Sequence, residues 1–199
     1  METTDLIKSY IQESVDVKTK MLSDEKLVAA IRDAADACIS AYRNGGKIMW
    51  CGNGGSAADA QHMAGELVNK FRFDRPGVPS IALGSDPSVV TSISNDYGFE
   101  HVFSHQVQAQ GAVGDVLIGI STSGNSRNIL EAIDAAWGKH ITTISITGAA
   151  SCKMDKADIV IKVPSCDTPR IQEGQTLVGH ILCCLIEKEL FPSLDPENR

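Results

Sequence analysis

The spacing of hydrophobic positions changes near residue 45. Before it, Leu6, Ile7, Ile11 and Val15 recur at helical spacing, and Leu27, Ala30, Ile31, Ala34, Ala35, Cys38 and Ile39 form a second stripe that Gly45-Gly46 stops. Residues 1–44 are therefore expected to be N-terminal helices. Beyond them, short apolar runs fall at Ile48–Cys51, Ser80–Leu83, Val116–Ile120, Thr142–Ile146 and Ile159–Val163. Such runs read as strands buried on both faces, which is the environment of parallel strands. Between them lie helix-like segments at Ala57–Asn69, Pro87–Ser94, Phe99–Gln108 and Ser126–Trp137, with a long last helix from about Gln172 to Leu190. Strands alternating with helices predict right-handed crossovers, hence an α/β protein with an open five-stranded parallel sheet flanked by helices. One domain, 1–199, is expected, with its core over 45–191 and a disordered tail over 192–199 to which no function is attached.

Composition narrows the function. At 199 residues the chain suits one domain that buries roughly 70% of its unfolded surface. A formal charge of −7 argues against nucleic acid as the main ligand, since a phosphate backbone needs a Lys/Arg surface. It leaves room for a small anion, which a few backbone N–H groups can hold. Six cysteines show no CxxC or paired zinc spacing, and four lie in or beside apolar runs, where a reduced cysteine acts as a small hydrophobe. The N-terminus is too charged for a secretory signal and no apolar stretch approaches the ~20 residues of a membrane span. A cytoplasmic protein with reduced thiols is expected.

In an open parallel sheet, ligands sit beyond the carboxyl ends of the strands, so the strand-to-helix turns carry the chemistry. The first turn is Cys51-Gly52-Asn53-Gly54-Gly55-Ser56. Its glycines allow a tight turn and close approach of Asn53, Gly54, Gly55 and Ser56 to a ligand, and Ser56 is placed to cap the helix. A plain helix start and the dinucleotide fingerprint G-x-G-x-x-A, met by Gly52, Gly54 and Ala57, are the competing readings; no GK[ST] follows, which excludes a Walker loop. The second turn is Ser121-Thr122-Ser123-Gly124-Asn125-Ser126. Four hydroxyls and a glycine opening a helix suit a phosphate without any lysine. Two such turns in one small domain weigh against an ordinary turn.

Further along, His62 and Glu66 stand four apart in the helix after the glycine turn, which puts both on one face. On spacing alone a surface His–Glu pair is common. The last helix carries Gln172 and, in the apolar run Leu177–Ile186, His180. Taken alone, that histidine reads as a satisfied core residue.

The two turns, GNGGSAADAQH and STSGNS, resemble the sugar isomerase (SIS) domain, and within it the phosphoheptose isomerases. The resemblance runs from about Gly45 to Phe191 and takes in Arg75-Pro76-Gly77, Asn95-Asp96-Tyr97-Gly98, Gly114-Asp115-Val116-Leu117 and Arg170-Ile171-Gln172-Glu173. It implies the SIS fold, a flavodoxin-like three-layer arrangement. It also implies interconversion of sedoheptulose 7-phosphate and D-glycero-D-manno-heptose 7-phosphate through an enediol, at the start of ADP-heptose synthesis for lipopolysaccharide. Glu66 and His180 match the family's catalytic pair. His62, Glu66, Gln172 and His180 match positions that bind zinc in some members; no nucleotide cofactor is implied. Asn53, Asn95 and Asp96, with Glu66 and Gln172, would contact the sugar, and Ser121, Thr122, Ser123 and Ser126 its phosphate. A homotetramer with active sites at subunit contacts is implied as well. Eight residues of continuous helix rise ~12 Å, so either Gln172 precedes the last helix, just after Pro169, or the zinc ligands come from different subunits. After Thr147-Gly148 the family's glycine-rich loop is replaced by Ala149-Ala150-Ser151-Cys152-Lys153. A related SIS protein that binds the replication initiator without catalysis is the competing reading; against it, this chain keeps both Glu66 and His180.

Overall fold

The computed structural model describes residues 2–198. Two helices open the chain, α1 (Thr3–Ser23) and α2 (Glu25–Arg43). Asp24 separates them, its carboxylate accepting from the N–H groups of Lys26 and Leu27 at 3.0 and 3.1 Å and so capping α2. The α2 stripe is buried as the pattern requires, from Leu27 and Ile31 to Cys38 and Ile39. In α1 only Val17 and Met21 are buried; Leu6, Ile7, Ile11 and Val15 stay exposed.

The sheet holds β1 (Ile48–Gly52), β2 (Ser80–Ala82), β3 (Val116–Ile120), β4 (Thr142–Thr147) and β5 (Ile159–Lys162), all parallel, in the order β2-β1-β3-β4-β5. Five helices follow their strands or loops: α3 (Gly55–Val68), α4 (Pro87–Tyr97), α5 (Val102–Gln110), α6 (Arg127–Trp137) and α7 (Thr168–Leu190). Alternate residues of β1 serve the two faces. Ile48 and Trp50 join the core under α2, α3 and α7, whereas Met49 and Cys51 join the core under α5 and α6. Burial of every residue in β1 and β3 explains why these strands lack polar alternation.

Several element ends differ from expectation. α4 runs on to Tyr97, so Asn95 and Asp96 are helical. Phe99–His101 is a 3-10 turn ahead of α5. α7 starts at Thr168, because Pro169 fits a first helical turn, and Gln172 therefore lies inside the helix. That removes the possibility that Gln172 precedes it. The stretch expected to be a disordered tail is packed as far as it is described. Asp195 is buried, Lys188 pairs with both Asp195 and Glu197, and Pro196–Asn198 forms a 3-10 turn. The acidic side chains of the tail find a lysine on α7, which composition alone did not reveal.

The order 2-1-3-4-5 places the topological switch point between β1 and β3, where a crevice forms beyond the strand ends. Gly52 pairs with Ile120 across this point, so the glycine and serine turns emerge side by side.

Candidate active site

The glycine turn is tighter than expected. Gly54 takes φ 56° and ψ −122°, a backbone that a side chain would strain, and it occupies the N-cap of α3. Ser56 thus lies within the first helical turn and does not cap it; its buried hydroxyl donates to Gln175 Oε1 at 3.4 Å. The cap falls earlier because glycine at 54 and 55 lets the helix begin at once. A Cβ on Gly55 would lie 2.5 Å from Gln172 Nε2, so the missing side chain is what admits Gln172 to this turn.

In the serine turn, buried Ser121 Oγ accepts from the Gly124 N–H at 3.1 Å and lies 3.2 Å from Ser126 Oγ. Gly124 adopts φ 62°. Ser126 holds the N-cap position of α6 without a side-chain cap bond, which leaves first-turn N–H groups for an anion. Thr122, Ser123 and Asn125, with Gly148, Ser165 and Thr168, line a hollow of about 310 Å³ at the strand ends. The substituted loop at 149–153 supports this turn from beneath. The Met154 N–H donates to Gly124 O at 3.0 Å and the Lys153 N–H to Asn125 Oδ1 at 3.1 Å.

One residue that sequence reasoning missed joins the two turns. Asn128, buried on α6, exchanges two amide hydrogen bonds with Asn53, each 2.9 Å. Its only sequence signal was a weak helix former in a first turn. Asn53 keeps one amide N–H and one oxygen lone pair for a ligand. A second hollow, about 170 Å³, opens beside Gly52, Asn53, Gly54, Gly84 and Phe99.

The acid–base candidates meet on the seam between α3 and α7. A Cβ on Gly179 would lie 2.5 Å from Met63 Sδ, so glycine lets the two helices approach. His62 Nε2 is 3.0 Å from Glu66 Oε1. The His62 and His180 rings are edge-to-face with centroids 5.0 Å apart. Phe71, also missed, lies nearly parallel to His180, with centroids 5.3 Å apart and planes 18° apart. Below them, burial and then the Glu66 charge push the Cys183 thiol up to about 12, so this sulfur stays neutral.

His62, Glu66 and His180 are thus brought together. Gln172 is not; it stands at the glycine turn, two helical turns up α7. Among the described residues no group of three His, Cys, Asp or Glu side chains is arranged to hold a metal ion. Asn95 and Asp96 are exposed on α4 and hydrogen-bond to each other at 2.8 Å.

A 2-1-3-4-5 sheet with two anion-suited turns at its switch point and a carboxylate–imidazole cluster on the α3–α7 seam defines an α/β protein of the flavodoxin-like kind. A family model described as the SIS domain matches residues 9–148. The phosphoheptose isomerase of Aneurinibacillus thermoaerophilus is 54% identical over 188 residues, 94% of this chain and 95% of that protein. That of Burkholderia pseudomallei (strain K96243) is 52% identical over 194 residues, 96% of this chain and 98% of that one. A solved phosphoheptose isomerase from Francisella tularensis superposes with a TM-score of 0.89 at 38% identity, covering 94% of this chain and 100% of its own. The chain belongs to the SIS domain family and, within it, to the phosphoheptose isomerases.

Proposed function

We propose that this chain interconverts sedoheptulose 7-phosphate and D-glycero-D-manno-heptose 7-phosphate, the opening step toward ADP-heptose for lipopolysaccharide. The observation that carries the reading is the cluster of Glu66, His62 and His180 on the α3–α7 seam, about two helical turns from the glycine turn. A binding-only SIS protein has no chemical use for that cluster, and the full-length relatives named above are isomerases.

Ketose and aldose differ by one proton moved from C1 to C2 and one moved between the two oxygens. A base removes the C1 proton while an acid protonates O2, giving a cis-enediol; the O1 proton then leaves as C2 is protonated. Glu66 is assigned to the carbons and His180 to the oxygens. Triosephosphate isomerase, which also pairs a glutamate base with a histidine, is the chemical parallel. Ser121, Thr122, Ser123 and Ser126 would hold the phosphate, and anchoring that remote end orients the reacting carbons. Asn53, Gly54, Gly55, Ser56 and Gln172 would line the sugar, with Asn95 and Asp96 hydrogen-bonding its hydroxyls.

Zinc suits the donor types of His62, Glu66 and His180, which are neighbours on the α3–α7 seam but are not arranged around one ion within the chain. Gln172 does not join them within one chain. When bound, zinc would polarise the carbonyl. A homotetramer with sites at subunit contacts is supported by the exposed apolar residues of α1, together with Tyr97 and Phe99. A cytoplasmic location is consistent with six free cysteines, and no helix among the described residues is long and apolar enough to cross a membrane.

The test is an isomerisation assay on sedoheptulose 7-phosphate with folded Glu66→Gln and His180→Gln variants. Each is expected to lose at least ~100-fold in kcat. Parent-like turnover in either removes that residue from the mechanism. Fructose 6-phosphate should be turned over more slowly; equal turnover would refute the seven-carbon preference.

A further inference from the structure

The loop between α3 and β2 is irregular, yet its backbone is held by one buried ion pair. Arg75 and Glu187 have side chains 1% and 0% exposed, with Nε to Oε1 at 3.0 Å. Glu187 also accepts from the N–H groups of Phe71 and Arg72 at 2.9 and 2.8 Å. Arg75 donates to the carbonyls of Leu67 (2.8 Å), Asn69 (3.0 Å) and Pro76 (3.1 Å), and to Glu66 O at 2.8 Å. Its guanidinium therefore satisfies carbonyls that the C-terminus of α3 would leave bare.

Glu187 stands seven residues after His180, two turns along the same face of α7. The same carboxylate that closes the loop thus fixes Phe71 over the imidazole face. His62 meets His180 nearly perpendicular, at 84°, while Phe71 meets it nearly parallel, at 18°. Rotation of the imidazole about its Cβ–Cγ bond would drive it into one neighbour or the other. Its nitrogens lie in the ring plane and stay uncovered by Phe71, which touches only the face.

We infer that Phe71, clamped by the Arg75–Glu187 pair, is a positioning residue that sets the plane of the His180 imidazole. The inference rests on the assignment of His180 to the isomerisation. Filling of the seam by Phe71 is the plain alternative, since Phe71 also packs against the main core. The two differ in what they demand. Packing needs apolar volume, whereas positioning needs a flat ring.

The experiment compares Phe71→Leu, Phe71→Met and Phe71→Tyr in the full chain, with His180→Gln as reference. The readouts are kcat and KM for sedoheptulose 7-phosphate, thermal melting, and the ring proton shifts of His180 by NMR. Phe71→Leu and Phe71→Met should lower kcat by about 10- to 100-fold with KM unchanged, the scale of a small misplacement of a reacting group. Phe71→Tyr should restore kcat and keep the upfield ring-current shift that the aliphatic variants lose. Parent-like kcat in a folded aliphatic variant, or an equal loss in Phe71→Tyr, overturns the inference while leaving His180 in its role. A fully active His180→Gln overturns the assignment beneath it as well. If Phe71→Leu melts early, Phe71→Met and the His180 shifts in Phe71→Tyr still decide.

Discussion

Asn128 and Asn53 illustrate how single side chains shape the cleft. Their reciprocal amide pair ties the glycine turn to the start of α6. Asn128→Ala removes both bonds and leaves the half-buried Asn53 amide to water, a loss of about 1 kcal/mol. Chemical denaturation should show that loss, and KM for the phosphosugar should rise because both turns loosen. Asp155 acts from beneath. Burial pushes its carboxyl upward, but hydrogen bonds from Lys162 and Cys152 outweigh this and hold it at about 2, below the usual 3.8. A depressed folded value contributes stability above pH 3.8 that is lost as pH falls toward 2. Asp155→Asn should flatten that part of the acid-unfolding curve; an unchanged acid limb would remove Asp155 from it. At this scale the sequence revealed His62 and Glu66, because four-residue spacing on a helix dictates a shared face. Phe71 and Asn128 escaped notice because their partners are distant in the chain, and a ring stacked on His180 leaves no local pattern.

Between elements, the seam of α3 and α7 matters most. Gly179 faces Met63 across it. Gly179→Val adds branched volume against a flexible methionine, and overpacking of this kind costs about 1–3 kcal/mol. Because Glu66 and His180 ride on opposite sides of that seam, kcat should fall with the melting temperature. A stable, fully active Gly179→Val would show that the helices tolerate separation. The strands were legible from their unbroken apolar runs, and burial on both faces is the reason. Helix starts were less so. The beginning of α3 depends on the positive φ of Gly54, and that of α7 on Pro169 in its first turn, both of which favour an earlier start than the apolar period suggests.

For the whole molecule, α1 presents Ile7, Tyr10, Ile11 and Leu22 on its exposed surface, while it is tied to α7 through Arg170 Nη1 to Tyr10 O at 2.6 Å and Ser14 Oγ to Glu173 Oε2 at 2.6 Å. A helix so fixed, yet apolar on its outside, suits cover by further copies of the chain. Ile7→Glu combined with Ile11→Glu should give a smaller species in sedimentation analysis with reduced turnover; an unchanged mass would place the contact elsewhere. The helical stripe in α1 was readable from the sequence, but its apolar residues up to Val15 stay exposed because within one chain α1 meets α7 mainly through polar contacts. The central claim, proton relay by Glu66 and His180 through an enediol, is tested most directly by running the isomerisation in deuterium oxide and locating the label by NMR. The account predicts solvent deuterium at C2 of the aldose product, formed at least ~100-fold more slowly by Glu66→Gln. Product formed by folded Glu66→Gln at the parent rate and with the parent's label at C2 would contradict it.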